Sequence, residues 1–201
     1  MPRKQMFEGG TKNRIVEVAG KMFFENGFDG TGIRAVMKEV GANVGAFYYY
    51  YKTKDELFTD VLVHFCDRYD AEFERIAAAA EKKPHGALLE LFDYVRKITR
   101  EFREKYADNM HFTVRYAIRE ATLTKIEPYV ERVVDVLVAN GAKPIMDTHL
   151  TAVFLSHGCG STILHEDSDW AEEARPQVIA TVKMLLGIDD EVQKKIIAAS
   201  V

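Results

Sequence analysis

Five consecutive aromatic residues, Phe47 to Tyr51, are the part of this chain whose residue types and spacing point most directly to chemistry. Successive side chains in a helix are about 100° apart, so five of them cover more than a full turn and cannot all face one core. The first and the last share a face, which we expect to pack inward, and Tyr48 to Tyr50 then point wholly or partly outward beside Lys52 and Lys54. Phenol and ammonium groups both donate hydrogen bonds to phosphate oxygens, so the pattern predicts contacts with a phosphate backbone.

A second interpretation, in which the tyrosines fill a junction with another domain, stays open on this pattern alone. Lys54 favours phosphate binding because it lies in the first predicted turn of the next helix, where the macrodipole disfavours a cation by about 0.3–1 kcal/mol. A phosphate at that helix terminus would meet both the lysine and free backbone N–H groups, which removes the conflict.

Short helices separated by a glycine turn must position this stretch. Apolar residues at helical spacing predict a helix over Ile33 to Val40 that ends at Gly41, a residue that adopts positive φ without strain. Asn43 is a good N-cap for a third helix over 44–51. The two helices and their turn form the helix-turn-helix pattern.

The start of the third helix is built from small residues, Val44 to Ala46. It can approach base edges closely but offers no side chain for bidentate hydrogen bonds, so base reading would depend on thymine methyl contacts, Asn43 and Arg34. Gly45 costs about 1 kcal/mol in a helix relative to alanine. Close approach to DNA and a tight packing contact within the protein explain this glycine equally well.

Further helices flank the pattern, and the fold class that we predict is all-α. The first helix begins near Thr11 and stops at Gly27, and the fourth opens with the capping box Thr53 to Glu56 and is expected to run to about Lys82. Helical periodicity then continues towards the C-terminus without β-type alternation. The later predicted helices are 86–105, 107–122, 125–139, 147–165, 171–186 and 189–199, and Pro176 is expected to kink or delay the 171–186 helix.

The charge distribution separates a basic start from an acidic remainder. Residues 1–54 carry nine basic and five acidic side chains, whereas residues 55–201 carry eighteen and twenty-six, which suggests one end that meets an anion. The net charge of −4 argues against a protein that coats nucleic acid over its whole surface. The two cysteines lie far apart, and there is neither an apolar leader nor a membrane-spanning run, so we expect a cytoplasmic protein without a disulfide scaffold.

Residues 11–62 resemble the N-terminal domain of TetR/AcrR-family transcriptional regulators. The resemblance is carried by Thr11, Ile15, Ala19, Phe23, Gly27, Phe28, Ile33, Arg34, Val36 and the run from Gly41 to Leu57. It implies a helix-turn-helix DNA-binding domain, which we place at residues 1–52, and a helical ligand-binding and dimerisation domain at 53–201. It also implies a ligand-responsive regulator, here expected to be a repressor, that binds a pseudo-palindromic operator as a homodimer and is released by a small-molecule effector.

The positions of the resemblance also imply which residues meet DNA, and three of its residues depart from the family pattern. The predicted DNA-binding residues are Arg34, Asn43, Val44, Gly45, Ala46, Tyr48, Tyr49, Tyr50 and Lys54. Gly32 stands where the family often has a threonine that caps the second helix and touches DNA, so we expect Thr31 to take over the cap. Met37 replaces a usual alanine, and Tyr50 stands where some members have histidine.

Aromatic and polar residues of the second domain are candidates for an effector cavity, although ordinary helix packing explains any single one of them better. From a wider group that includes Phe92 and His149, the predicted effector-binding residues are Tyr94, His111, Phe112, Arg115, Tyr116, Phe154 and His157. The predicted dimer interface consists of Ala152, Ser156, Gly160, Ile179, Val182 and Leu186. The small residues at 152, 156 and 160 are equally consistent with an internal helix contact.

Three histidines, His149, His157 and His165, recur every eight residues near Cys159 and raise the idea of a metal site. Eight helical residues advance about 80° beyond two turns, so the three side chains drift around the helix and we predict no metal and no cofactor. No catalytic motif occurs, so we predict that the protein is not an enzyme. The alternative function is a helical small-molecule carrier, or a metal-dependent enzyme, whose basic end is a docking face.

Overall fold

The computed structural model describes residues 10–106, 110–165 and 168–200, and every regular element within them is helical, which confirms the all-α prediction. The helices are α1 (Gly10–Gly30), α2 (Ile33–Val40), α3 (Val44–Tyr50), α4 (Lys54–Asp67), α5 (Asp70–Ala80), α6 (Ala87–Tyr106), α7 (Phe112–Ala139), α8 (Thr148–Phe154), α9 (Gly160–Ile163), α10 (Ser168–Leu185) and α11 (Asp190–Ala198), with a π-helical turn, Leu155–Cys159, between α8 and α9. None of the helices in these ranges is long and apolar enough to span a bilayer.

Packing divides the chain into two compact units. Unit 1 contains the described residues up to Arg68 together with Tyr106–Ala121, and unit 2 contains Tyr69–Lys105 together with the described residues from Thr122 onward. This packing boundary is not the functional boundary that the sequence predicts between residues 52 and 53, which stays a prediction.

The apolar faces of α1 to α4 hold unit 1 together. Ile15, Ala19 and Phe23 of the predicted α1 stripe are fully buried. The rings of Phe28 and Phe58 pack on Phe23 with centroid distances of 5.8 and 4.9 Å. Each fully buried side chain of this size stabilises the fold by about 1.5–3 kcal/mol, so the cluster fixes α1 against α4 within this unit.

α1 is interrupted at Gly27, where the sequence predicts its end. Gly27 has φ 74° and ψ 176°, a conformation that is essentially restricted to glycine. A Cβ atom there would lie 2.7 Å from the His111 ring, and the His111 N–H donates to the Phe24 carbonyl at 2.9 Å. The segment from Tyr106 to Ala121 is therefore attached to the end of α1 within unit 1.

The expectation that Thr31 caps α2 is wrong. Its buried hydroxyl donates instead to the carbonyl oxygens of Gly27 at 2.8 Å and Met22 at 3.0 Å. Gly32 occupies the N-cap position of α2 with no side-chain hydrogen bond. The irregular end of α1 leaves carbonyl groups in need of donors, and a buried threonine satisfies them at the expense of the cap.

The predicted end of the fourth helix and the predicted break between residues 122 and 125 are wrong. α4 ends at Asp67, not near Lys82, and the Arg68 guanidinium folds back there over the Phe65 ring at 4.3 Å and donates to the Phe65 carbonyl at 3.1 Å. α7 is one helix through Pro128 where two were predicted, and residues 107–109 lie outside the described residues. The predicted 147–165 helix is helical from Thr148 to Ile163, with the π-helical turn inside it.

The C-terminal helices of unit 2 agree more closely with the sequence. α10 begins at Ser168, earlier than predicted, and continues through Pro176. α11 begins at a side-chain cap, because Asp189 accepts a hydrogen bond from the Val192 N–H at 2.8 Å. The core of unit 2 is a single cluster that joins α5, α6, α7 and the helices that follow them.

Candidate nucleic-acid interface and ligand cavity

α3 begins at the cap that the sequence predicts. The Asn43 side chain accepts a hydrogen bond from the Ala46 N–H at 3.0 Å, and Gly41 closes α2 with a left-handed φ of 77°. Gly45 is exposed, and a Cβ atom there would meet a single neighbour within 4 Å, the Asn43 Oδ1 atom at 3.1 Å. Gly45 therefore leaves room for the cap, and no packing contact from elsewhere in the described chain accounts for it.

The five aromatic residues divide between core and solvent as their helical positions predict. Phe47 and Tyr51 are 0% and 5% exposed, whereas Tyr48, Tyr49 and Tyr50 are 60%, 81% and 37% exposed. The three outward phenols leave their hydroxyl groups open to solvent on one short helix. Such groups suit the phosphate oxygens of a nucleic acid.

Lys54 has a role inside unit 1 that sequence reasoning missed. Its Nζ atom donates to the Phe28 carbonyl at 2.9 Å and lies 4.2 Å from the centroid of the Phe28 ring. The carbonyl and the ring face offset the unfavourable position of this cation in the first turn of α4. An ammonium group has three N–H donors, so the predicted phosphate contact of Lys54 stays a prediction beside this structural contact.

The loop before α4 carries a modified capping box. The Thr53 hydroxyl accepts a hydrogen bond from the Glu56 N–H at 3.1 Å, and the Glu56 carboxylate accepts one from the Lys52 N–H at 2.6 Å. In an ordinary capping box the Glu56 carboxylate would bond the N–H of the cap residue Thr53, whereas here it bonds the N–H of Lys52, one residue earlier. The side chains of Lys52 and of Arg34 on α2 are exposed and form no ion pair among the described residues.

Tyr51 is held inside unit 1 by a small polar network. Its hydroxyl donates to Asp60 at 2.6 Å, and Lys12 lies 2.7 Å from the same carboxylate oxygen. Burial and the hydrogen bond to Asp60 raise the pKa of Tyr51 far above its ordinary value. Burial alone would raise the pKa of Asp60, but the hydrogen bonds from Lys12 and Tyr51 outweigh it and lower that pKa.

Unit 2 contains a cavity of about 250 Å³ between α6, α10 and α11. Its walls are mostly apolar and include Leu88, Phe92, Val178, Ile179, Val182 and Leu186. Two ion pairs line it as well, Asp93 with Arg175 at 2.7 Å and Arg96 with Glu172. Apolar walls with a few polar groups are the usual form of a small-molecule site.

None of the seven predicted effector-binding residues lines this cavity. Four of them lie in unit 1 with exposed side chains: His111, Phe112, Arg115 and Tyr116. The other three lie in unit 2: Tyr94, Phe154 and His157. Tyr94 packs on Phe73 of the core at 5.2 Å, whereas Phe92, from the wider group of aromatic residues, does line the cavity.

The six predicted dimer residues also have other surroundings. Ala152 and Ser156 are 0% exposed in the single chain, and a Cβ atom at Gly160 would meet the Leu123 side chain at 2.5 Å. These small residues therefore fit the alternative interpretation, an internal helix contact. The other three line the cavity: Ile179, Val182 and Leu186. The apolar stripe that these residues form on α10 could have indicated the cavity. In a sequence, however, such a stripe looks the same whether it lines a cavity or contacts a second copy of the chain.

The three regularly spaced histidines have separate partners. A ring nitrogen of His149 lies 3.0 Å from a Glu131 carboxylate oxygen, and one of His157 lies 2.8 Å from a Glu127 carboxylate oxygen. The His165 ring packs on the Trp170 indole with a centroid distance of 4.5 Å. The hydrogen bond to Glu131 raises the pKa of His149. Within the described ranges no group of three or more histidine, cysteine or acidic side chains is placed to hold a metal ion.

Comparison with known proteins points to one family. The family model described as "Bacterial regulatory proteins, tetR family" matches residues 15–61. The chain is 30% identical over 115 residues to the probable HTH-type transcriptional regulator YttP of Bacillus subtilis, a match that covers 56% of this chain and 51% of the relative. It is 35% identical over 51 residues to the HTH-type transcriptional regulator QacR of Staphylococcus aureus, covering 25% and 27% of the two chains. The chain thus spans about half the length, or less, of these relatives.

Solved structures resemble the chain over most of its length. A TetR/AcrR-family transcriptional regulator from Thermobifida fusca has a TM-score of 0.54 and 22% identity, with 89% of this chain and 98% of that chain covered. The reduced form of Escherichia coli NemR has a TM-score of 0.57 and 13% identity, with 90% and 98% covered. At these identities the likeness concerns the fold.

Proposed function

This chain belongs to the tetR family of bacterial regulatory proteins, and on that premise we propose that it is a ligand-responsive transcriptional repressor. Two copies insert their α3 helices into successive major grooves about 34 Å apart, which requires a pseudo-palindromic operator. A small-molecule effector releases the DNA because it binds more tightly to a conformer whose spacing does not match the operator. Typical couplings of this kind are about 1–3 kcal/mol.

The observation that carries this proposal is the solvent-facing surface of α3. Tyr48 to Tyr50 are exposed on a helix whose partner residues on the inner face are buried, and Arg34 and Lys52 are exposed cations of the same unit. Tyrosine hydroxyls and the lysine bind phosphates and set the register of α3 in the groove. Packing alone does not require this much aromatic surface in water.

Asn43 combines the capping of α3 with base reading. Its Oδ1 atom accepts the capping hydrogen bond from Ala46 and keeps a second lone pair, while its NH2 group donates. Asn43 therefore has both the donor and the acceptor for a pair with adenine, and the cap restricts the orientation of its amide. Arg34, which is exposed on α2, keeps its full set of donors for guanine or for phosphate.

The homodimer that we propose uses the exposed residues at 150, 154 and 158. Each lies two residues before one of the small residues at 152, 156 and 160 that the sequence predicts for the interface. Leu150 and Phe154 are 49% and 52% exposed on successive turns of α8, and Gly158 follows at the same interval with Phe154 Cε1 3.9 Å from its Cβ position. Exposed leucine and phenylalanine one turn apart, beside a glycine, allow close approach of a second helix. Phe154→Glu is expected to convert the dimer into a monomer in sedimentation equilibrium, and Ile145→Glu, at another exposed apolar residue, is expected to leave it a dimer.

A regulatory role also agrees with the chemistry of unit 2. Burial raises the pKa of the Cys159 thiol to about 11, so it is not a nucleophile at neutral pH. A carrier would use the same cavity without operator binding. Sequence-specific DNA binding therefore separates the regulator from both alternatives, the carrier and the metal-dependent enzyme.

The experiment that tests the proposal selects DNA fragments from a random pool with the purified full-length chain. The enriched sequences are expected to be two-fold symmetric, with half-site centres about 10 base pairs apart or a multiple of that spacing. Binding is then measured by fluorescence anisotropy at several salt concentrations, because each lost phosphate contact flattens the salt dependence by about one unit.

Paired variants locate the contact surface. Tyr49→Phe removes only a hydroxyl group from α3 and is expected to weaken operator binding, whereas Tyr116→Phe at another exposed tyrosine, on α7, is expected to leave it unchanged. Enrichment of no common sequence, or equal affinity of both variants and the natural chain, would rule out the proposed surface.

A further inference from the structure

The charges that line the cavity of unit 2 are unevenly distributed. Towards the start of α10, Arg175 lies 2.7 Å from Asp93 and Arg96 pairs with Glu172. Arg96 also lies 3.4 Å from Asp93, so the two guanidinium and two carboxylate groups form one connected network. Their charges cancel, and this end of the cavity is polar but neutral.

Lys183 supplies a positive charge at the other end of the cavity, eight residues or about 12 Å further along α10 than Arg175. Its Nζ atom donates to the Gln193 side-chain oxygen on α11 at 2.9 Å. That neutral amide is the sole hydrogen-bond partner of this ammonium among the described residues. The lining therefore carries one unbalanced positive charge, which an anion in the cavity would neutralise.

The cavity is small, and the wall next to Lys183 is apolar. Its volume of about 250 Å³ exceeds that of a cavity of about 150 Å³, which holds a six-carbon ring. Val182 of α10, Leu186 just after that helix and Phe92 of α6 line the cavity together with Lys183. An apolar body of about eight carbon atoms therefore fits this space.

We propose that the cavity binds a small apolar monocarboxylate, with its carboxylate on Lys183 and Gln193 and its hydrocarbon tail directed towards Phe92. The Lys183 ammonium has two further N–H donors and the Gln193 amide has an NH2 group, so both side chains donate to the carboxylate oxygens. The tail covers apolar wall that water otherwise meets. The inference rests on the proposed function in one respect, namely that this carboxylate is the effector.

The experiment compares three eight-carbon probes by isothermal titration calorimetry with the full-length chain. Octanoate is expected to bind with one molecule per chain. 1-Octanol, which lacks the charge, is expected to bind roughly tenfold more weakly or worse, because a hydrogen-bonded ion pair is lost. Octylammonium is expected to bind most weakly, because its charge repels Lys183.

Variants assign the carboxylate to Lys183. Lys183→Met keeps the length of the side chain and is expected to lower octanoate affinity at least about tenfold while leaving 1-octanol unaffected. Lys183→Arg keeps the charge and is expected to retain octanoate. Lys194→Met is the matched control, because Lys194 is an exposed lysine of α11 outside the cavity. Ile179→Trp fills the cavity and is expected to abolish binding of all three probes.

Several results would overturn the inference: no octanoate binding at millimolar concentration, equal octanoate affinity of the natural chain and Lys183→Met, or a preference for octylammonium. Far-ultraviolet circular dichroism of each variant shows whether it folds. If Lys183→Met does not fold, the comparison of Lys183→Arg with the natural chain and the order of the three probes decide the outcome.

The experiments distinguish a failure of the monocarboxylate proposal from a failure of the repressor proposal. Operator affinity is measured by anisotropy with and without octanoate. Binding of octanoate through Lys183 without any change in operator affinity keeps the ligand class and rejects its role as effector. Absence of sequence-specific DNA binding rejects the repressor and leaves the calorimetric result as it stands. Operator binding by a chain that does not bind octanoate rejects the ligand class alone.

Discussion

Unit 1 and unit 2 use apolar and aromatic side chains in opposite ways. In unit 1 the run after the glycine turn is split, with Phe47 in the core and Tyr48 to Tyr50 in solvent. In unit 2 the apolar residues of α6 and α10 surround a cavity. The first arrangement offers a surface to a large partner, and the second offers an interior to a small one. The regulator that we propose needs both a surface for DNA and an interior for a ligand.

The largest expected effect separates the two neighbours within the aromatic run. Phe47→Ala removes a fully buried ring and is expected to lower the free energy of unfolding by about 3–5 kcal/mol. Tyr48→Ala, at a residue that is 60% exposed, is expected to change it by less than about 1 kcal/mol but to weaken operator binding. Chemical denaturation followed by circular dichroism measures the first effect. Equal losses of stability would mean that the run is not divided between core and surface.

The next effect concerns the glycine that ends α1. Gly27→Ala is expected to destabilise unit 1 by about 2 kcal/mol or more, because φ is 74° and the new Cβ would lie 2.7 Å from the His111 ring. Gly41→Ala is the matched control, since φ is 77° there but nothing lies within 4 Å of the Cβ position. Its expected cost is about 1 kcal/mol. Equal costs would show that the contact with His111 does not matter.

Two lysines near α4 test whether stability and DNA binding can be separated. Lys54→Met is expected to lower the free energy of unfolding by about 1 kcal/mol, because Lys54 bonds the Phe28 carbonyl and lies over its ring. Lys52→Met is expected to leave stability unchanged and to flatten the salt dependence of operator binding by about one unit. A Lys54 variant of unchanged stability would contradict the structural role.

A smaller effect in unit 1 appears at acid pH. The pKa of Asp60 is lowered in the folded chain, so its contribution to stability is present above about pH 3.9 and is lost as pH falls through the folded pKa. Asp60→Asn is expected to remove about 1 kcal/mol at neutral pH and to flatten the acid limb of the stability profile. Denaturation midpoints measured from pH 6 down to pH 3 test this, and an unchanged acid limb in the variant would exclude Asp60 as its source.

The smallest effect belongs to unit 2 and has the opposite sign. The pKa of His149 is raised by Glu131, so its contribution is present below about pH 6.5 and is lost as pH rises through the folded pKa. His149→Gln is expected to remove a slight fall in the denaturation midpoint between pH 6 and pH 9. Glu131→Gln should reproduce the change, and a steeper fall in either variant would reverse the assignment.

The helix-turn-helix segment was predictable because local rules decide it. The left-handed φ at Gly41 and the side-chain cap at Asn43 follow from interactions within a few residues. The division of the aromatic run follows from helical period alone. Lys54 is the exception in this region, because its partner Phe28 lies 26 residues earlier in the chain.

Predictions for unit 2 were weaker because they depend on which helix faces meet. The stripe of Ile179 and Val182 gives the same pattern whether it faces a cavity or a second copy, and the structure places it at the cavity. The end of α4 at Asp67 contains neither glycine nor proline, the residues that most often mark a helix end in a sequence. The predicted effector residues stay predictions, and none of them lines the cavity of unit 2.

By itself, the sequence determined the all-α class, the pair of helices joined by a glycine-containing turn, and the outward direction of three tyrosines. These features arise from backbone conformation and helical period, which act over a few residues. Only the tertiary structure decided that Lys183 faces an apolar cavity and that Thr31 turns away from α2. Such choices depend on contacts between distant segments, where a buried polar group takes whichever partner the packed helices bring to it.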